Sequence, residues 1–119
     1  MKIKNFEEII AWQKAQELAV LIYDEFRNSK DFGFRDQICR AVVSISNNIA
    51  EGFDRSSDAD FCRFLYMSLG SCSEVKSMLY LATKLNYINL QKQNNLLEKS
   101  QKISKVINGF IKSLQKNDD

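Results

Sequence analysis

Histidine and proline are both missing from this 119-residue chain, and glycine and cysteine are sparse at four and three. Without histidine the commonest general base and the commonest metal ligand are gone together, which thins the enzymatic readings at once. Without proline nothing forces a helix to break, so Gly33, Gly52, Gly70 and Gly109 become the main punctuation. Cys39, Cys62 and Cys72 are odd in number and lack paired ligand spacing, so neither a zinc site nor a disulfide framework is expected. Long apolar runs are absent too. The start, "MKIKNFEEIIAWQK", holds no signal-peptide core, and no window approaches the roughly 18 apolar residues of a membrane span. The expected setting is the reducing cytoplasm, with no membrane contact.

What is present is charge, unevenly placed. The 17 basic and 15 acidic residues nearly cancel at +2 overall. Residues 1–75 hold nine basic and twelve acidic side chains, whereas residues 76–116 hold eight basic ones and only Glu98 on the acidic side. The positive charge sits in the last third.

Apolar residues recur at three- and four-residue steps, the spacing of a stripe along one helix face. Phe6, Ile9, Trp12, Ala15, Ala19, Ile22 and Phe26 mark a first helix over about 6–27. Phe34, Ile38, Ala41, Ile45, Ile49 and Phe53 mark a second over about 34–53, ending near Gly52. A third, about 58–85, starts where Ser57 and Asp60 resemble a capping box, with Asp a short substitute for the usual Glu or Gln. Gly70 lies inside it at a cost of about 1 kcal/mol in helix propensity, which predicts close approach to a neighbouring helix. Leu96, Ile103, Ile107, Phe110 and Leu114 mark a fourth helix over about 90–116. No segment alternates with the period of a half-buried strand. Four long helices with short connectors predict an all-α, antiparallel up-down-up-down four-helix bundle, one domain over residues 1–119.

The second helix carries an unusual stripe. At 100° per residue, Gln37, Arg40, Ser44, Asn47, Asn48, Glu51 and Arg55 fall within about 100° of one another, opposite the apolar residues. A solvated face favours Lys and Glu, whereas Asn and Ser compete for backbone hydrogen bonds, so these side chains are expected to have partners. An assembly interface and a ligand site both fit. Arg40 and Glu51 are about 16 Å apart along the axis and cannot easily pair with each other.

The segments "WQKAQELAVLIYDEF", "QICRAVVSISNNIAEGFDR", "FLYMSLGSCSEVKSML" and "LNYI" resemble, in that order and spacing, the 23S rRNA intervening-sequence proteins, a bacterial four-helix-bundle family. The most specific part joins Ser44, Asn48, Ile49, Ala50, Glu51 and Gly52 to Gly70, Ser71 and Glu74. The resemblance implies four antiparallel helices and a ring-like homopentamer. Some members of this family are encoded within insertions in ribosomal RNA genes, and a related branch comprises accessory proteins of diversity-generating retroelements that bind nucleic acid and a reverse transcriptase. One departure is Ser46, where the family commonly has proline; the second helix is therefore expected to be straighter here.

On the fourth helix Lys99, Lys102, Lys105, Lys112 and Lys116 fall away from the apolar stripe, and only Glu98 offsets them within that helix. A solvated surface is the plain explanation; the sharper one is a phosphate-binding face, tolerant of sequence and sensitive to salt. The leading expectation is a non-enzymatic, oligomeric RNA-binding or scaffolding protein without cofactor. The alternative is a protein-only adaptor that docks a partner enzyme. Glu17, Glu51, Glu74 and Glu98 offer one carboxylate per helix, but the Glu-x-x-His pairs of di-iron bundles cannot form without histidine. Phe6, Trp12, Phe26, Phe61, Phe64 and Phe110 follow core spacing and are expected to pack rather than to stack on bases.

Overall fold

The computed structural model describes residues 2–116. One 3-10 turn, Phe6–Glu8, precedes four helices: α1 (Ile10–Phe26), α2 (Phe32–Phe53), α3 (Asp58–Lys84) and α4 (Leu90–Lys116). Connectors at 27–31, 54–57 and 85–89 are too short for anything but antiparallel neighbours. Helices α1 and α3 each pack on both α2 and α4, which places α1 opposite α3 and α2 opposite α4. The result is the expected four-helix bundle, 48 × 20 × 19 Å, with no strand among the described residues.

The helix ends follow from local chemistry. The first helix does not begin at residue 6, because Ile9 is extended (φ −75°, ψ 120°) and separates the 3-10 turn from α1. Glu8 Oε2 accepts the backbone N–H of Asn5 at 2.8 Å, which closes that turn on itself. The apolar spacing runs through the break because Ile9 is buried and Phe6 packs edge-on against Trp12, ring centroids 5.2 Å apart. Helix α2 starts at Phe32 because Asp31 caps it, Oδ1 accepting the Phe34 N–H at 3.1 Å. Ser57 caps α3 as expected, accepting the Asp60 N–H at 3.1 Å. The Asp60 carboxylate turns to Arg63 Nε at 2.9 Å instead. After α3, Asn86 adopts the left-handed region (φ 63°) that Asn tolerates better than most residues, and the Tyr87 N–H closes on Ala82 O at 2.8 Å.

One hydrophobic cluster runs through all four helices, from Ile22 and Ile38 to Leu79 and Ile107. The close helix approach expected at Gly70 falls at Gly52 instead. A Cβ on Gly52 would lie 2.6 Å from Phe64 Cβ and 2.9 Å from Phe61 Cδ1, so Gly52 lets α2 close on α3. Gly70 is exposed and nothing within 4 Å would meet its Cβ, so it makes no close helix approach within the chain. Phe26, Phe61 and Phe64 are buried, and Phe6, Trp12 and Phe110 are partly buried, in keeping with packing. Buried residues Leu97, Ser100 and Ile111 centre the inner face of α4 about 40° further round than the expected stripe, which leaves Phe110 at its edge. Cys39, Cys62 and Cys72 are all buried. Burial pushes the Cys72 thiol up, away from the thiolate that a nucleophile requires.

Candidate nucleic-acid and assembly interface

The polar stripe of α2 divides into an inner and an outer part. Ser44 and Asn48 are half-buried at the seam with α3. Asn48 Nδ2 donates to Ser44 Oγ and to Ser44 O, both at 2.9 Å, and Ser71 Oγ donates to Ser44 Oγ at 2.9 Å. Towards the N-terminus of α2, Gln37 Nε2 donates to Glu74 Oε2 at 2.8 Å. Deeper in the same seam, the buried Ser68 hydroxyl donates to Ile45 O at 2.9 Å. These bonds explain why Ser and Asn occupy helix-interior positions: they hold α2 against α3.

Ser46 is also buried, and it faces α1. Its hydroxyl accepts from Gln16 Nε2 at 3.0 Å and donates to Val43 O at 3.3 Å. Ser46 thus forms a polar bond between α1 and α2.

Arg40, Asn47 and Glu51 are the outer part, all exposed, while Arg55, also exposed, lies past the end of α2 in the 54–57 connector rather than on the helical stripe. Arg40 and Glu51 enter no ion pair among the described residues. The Arg55 guanidinium lies over the Phe64 ring, 4.5 Å from its centroid, and Arg63 lies over the same ring at 4.9 Å. Sequence spacing did not mark this pairing, since Phe64 reads as core and the two arginines lie on different elements.

Helix α4 presents Lys99, Lys102, Lys105, Lys112 and Lys116 to solvent, all five exposed. Lys102 Nζ pairs with Glu98 Oε1 at 3.3 Å, an exposed i,i+4 pair of the kind worth about 0.3–0.5 kcal/mol. Lys92 reaches across to α1, where Glu25 Oε2 is 3.3 Å away and only 21% exposed. Lys99 and Lys102 share a shallow α1–α4 groove with Lys14 and Glu17, while Lys105, Lys112 and Lys116 enter no ion pair among the described residues. On the α1 side of that groove Lys14 is matched by Glu17, so the basic face is that of α4 itself.

Among the described residues no group of three or more His, Cys, Asp or Glu side chains could hold a metal ion. Glu17, Glu51, Glu74 and Glu98 are all exposed, so the four carboxylates do not meet in the core. No described helix is long and apolar enough to cross a membrane.

Comparison with known proteins agrees with this architecture. A crystal structure of a protein of unknown function from the S23 ribosomal protein family of Bacteroides thetaiotaomicron superposes with a TM-score of 0.80 at 30% sequence identity, covering 87% of this chain and 99% of that one. No curated protein matches the sequence. The model of the 23S rRNA-intervening sequence protein family matches residues 7–109, from the 3-10 turn to the last third of α4. The chain belongs to the 23S rRNA-intervening sequence protein family.

Proposed function

We propose that this protein is a non-enzymatic, homo-oligomeric binder or scaffold of RNA in the cytoplasm, acting through the α4 lysine face. The observation that carries the reading is the row Lys99, Lys102, Lys105, Lys112 and Lys116, exposed along one helix with a single acidic partner at Glu98. Like charges at this spacing repel, and a phosphate backbone relieves the repulsion while releasing counterions. Copies arranged in a ring, the family's expected pentamer, would multiply the field.

Support for assembly comes from α3. Tyr66, Met67, Tyr80 and Leu81 are 54%, 40%, 46% and 45% exposed, and Gly70 lies between them on the same face. An exposed glycine costs a helix about 1 kcal/mol against alanine, which close contact with a second helix offsets. Glu51, which enters no ion pair among the described residues, supplies a charge for such a contact. The same apolar face supports a second reading, an adaptor that docks a partner protein without touching nucleic acid.

Native mass spectrometry of protein purified at low salt without nuclease tests both. A pentamer carrying nuclease-sensitive mass is the expected result. A clean pentamer that retains one protein partner in fixed ratio after nuclease treatment would favour the adaptor, and a monomer would remove the assembly on which both readings rest.

A further inference from the structure

Away from α4, the end of α1 and the first half of α2 bring three arginines to one depression. Tyr23 and Arg27 from the end of α1 face Arg35, Asp36, Cys39 and Arg40 from α2 across an open cleft of about 590 Å³. That volume lies within the usual span for small-ligand sites, about 300–1,000 Å³. Its lining carries three positive charges against one negative, Asp36. Arg27 is held by Asp24 and Arg35 by Asp36, the latter at 3.2 Å. Both pairs are surface pairs, worth at most about 1 kcal/mol, and so yield readily to a competing anion. Arg40 has no ion-pair partner among the described residues.

The cleft is not only basic. Tyr23 is 46% exposed, so its ring is available at the wall. The Arg35 guanidinium that lines the cleft lies 4.9 Å from the centroid of the Phe32 ring, which is itself 60% exposed. Guanidinium groups offer planar forks that match phosphate oxygens, and an open aromatic face accepts a base by stacking. A duplex offers phosphates but keeps its base faces covered, whereas a single strand offers both.

We propose that this cleft binds one nucleotide unit of single-stranded RNA, the phosphate on Arg27 and Arg40 and the adjoining base on Tyr23. The inference rests on the RNA-binding function proposed above and adds a strand preference to it. The lysine face of α4 supplies sequence-tolerant attraction for any phosphate backbone, and the cleft discriminates single from double strands.

Fluorescence anisotropy of the full chain with labelled single strands and a duplex of about ten nucleotides at fixed low salt tests it. Tyr23→Leu is expected to weaken single-strand binding about tenfold, the size of one base–aromatic stack, with duplex affinity within about twofold of the parent. Tyr23→Phe, which keeps the ring, is expected to bind like the parent. Arg27→Ala with Arg40→Ala is expected to weaken single-strand binding more than duplex binding. Equal losses for both strand forms, or no loss with either variant, would overturn the cleft. So would dissociation of the oligomer in either variant, followed by native mass spectrometry, because the cleft would then be a contact between copies. The reversal of Lys102, Lys105 and Lys112 to Glu separates the two claims: if it abolishes binding while the cleft variants are silent, the α4 reading stands and the cleft fails. If the cleft variants alone reduce binding, the α4 site fails and the cleft stands. A parent protein that binds neither strand form overturns both.

Discussion

Tyr87 donates its phenolic hydrogen to Asp31 Oδ2 at 2.7 Å, tying the α3–α4 connector to the α1–α2 connector across 56 positions of sequence. The same aspartate uses Oδ1 to cap α2 through the Phe34 N–H, and the Phe34 ring packs edge-on against Tyr87 at 5.4 Å. One carboxylate therefore starts a helix and locks one end of the bundle. The Tyr87 hydrogen bond, with the Phe34 N–H second, holds the Asp31 carboxyl below its usual range. A carboxylate with a lowered native pKa stabilises the fold fully above its unfolded pKa, about 3.9, and loses that contribution as pH falls through the lower native value. Asp31→Asn is expected to lower Tm near neutral pH, with the gap to the parent narrowing as pH falls below about 4. Thermal melts of both proteins across that range check the sign; a gap that widens in acid would overturn it.

Gly52 is the more sensitive of the two central glycines. Gly52→Ala forces a methyl to within 2.6 Å of Phe64 Cβ, so either α2 or α3 must shift. The expected loss is about 1–3 kcal/mol from overpacking, after alanine's better helix propensity is included. Urea denaturation measures it, and an unchanged midpoint would show that the helices move apart freely.

Gly70→Ala should behave in the opposite way within one chain. With nothing within 4 Å of its Cβ position, alanine is expected to add about 0.5–1 kcal/mol of helix stability. If another copy packs closely there, the same substitution weakens the oligomer. Sedimentation beside thermal melting separates the two effects: a higher Tm with an intact oligomer would place the assembly contact elsewhere.

The hydroxyl pair Ser44 and Ser71, at 2.9 Å, predicts a measurable coupling across the α2–α3 seam. A double-mutant cycle of Ser44→Ala and Ser71→Ala is expected to give about 0.5–1 kcal/mol, since neutral hydrogen bonds are worth that much net. Additive single effects would mean that Asn48 alone satisfies Ser44.

How far the sequence was legible follows from range. Helices α2, α3 and α4 were readable to within two residues because their periodicity and the Ser57 cap are local signals. The break at Ile9 was not, because a buried residue between helical turns keeps the apolar spacing while changing its backbone. The polar stripe on α2 was visible, but its division was not: Ser44 and Asn48 turn inward only because Ser71 arrives from α3. Likewise, the arginine cleft depends on α1 and α2 meeting across the 27–31 connector, which places Arg27 beside residues eight and more positions away. The lysine row of α4 was readable because it lies on a single helix, where angle alone sets exposure.

Binding of RNA through phosphates held on the α4 lysines has a direct signature, the slope of affinity against salt. We would measure it with unrelated RNAs, for the parent chain and for the triple variant Lys102→Glu, Lys105→Glu, Lys112→Glu. Weaker binding is expected for every RNA, together with a slope flattened by about 0.7–0.9 for each phosphate that the variant no longer neutralises. An affinity and a slope both equal to the parent's would rule out the α4 lysines as the RNA-binding face.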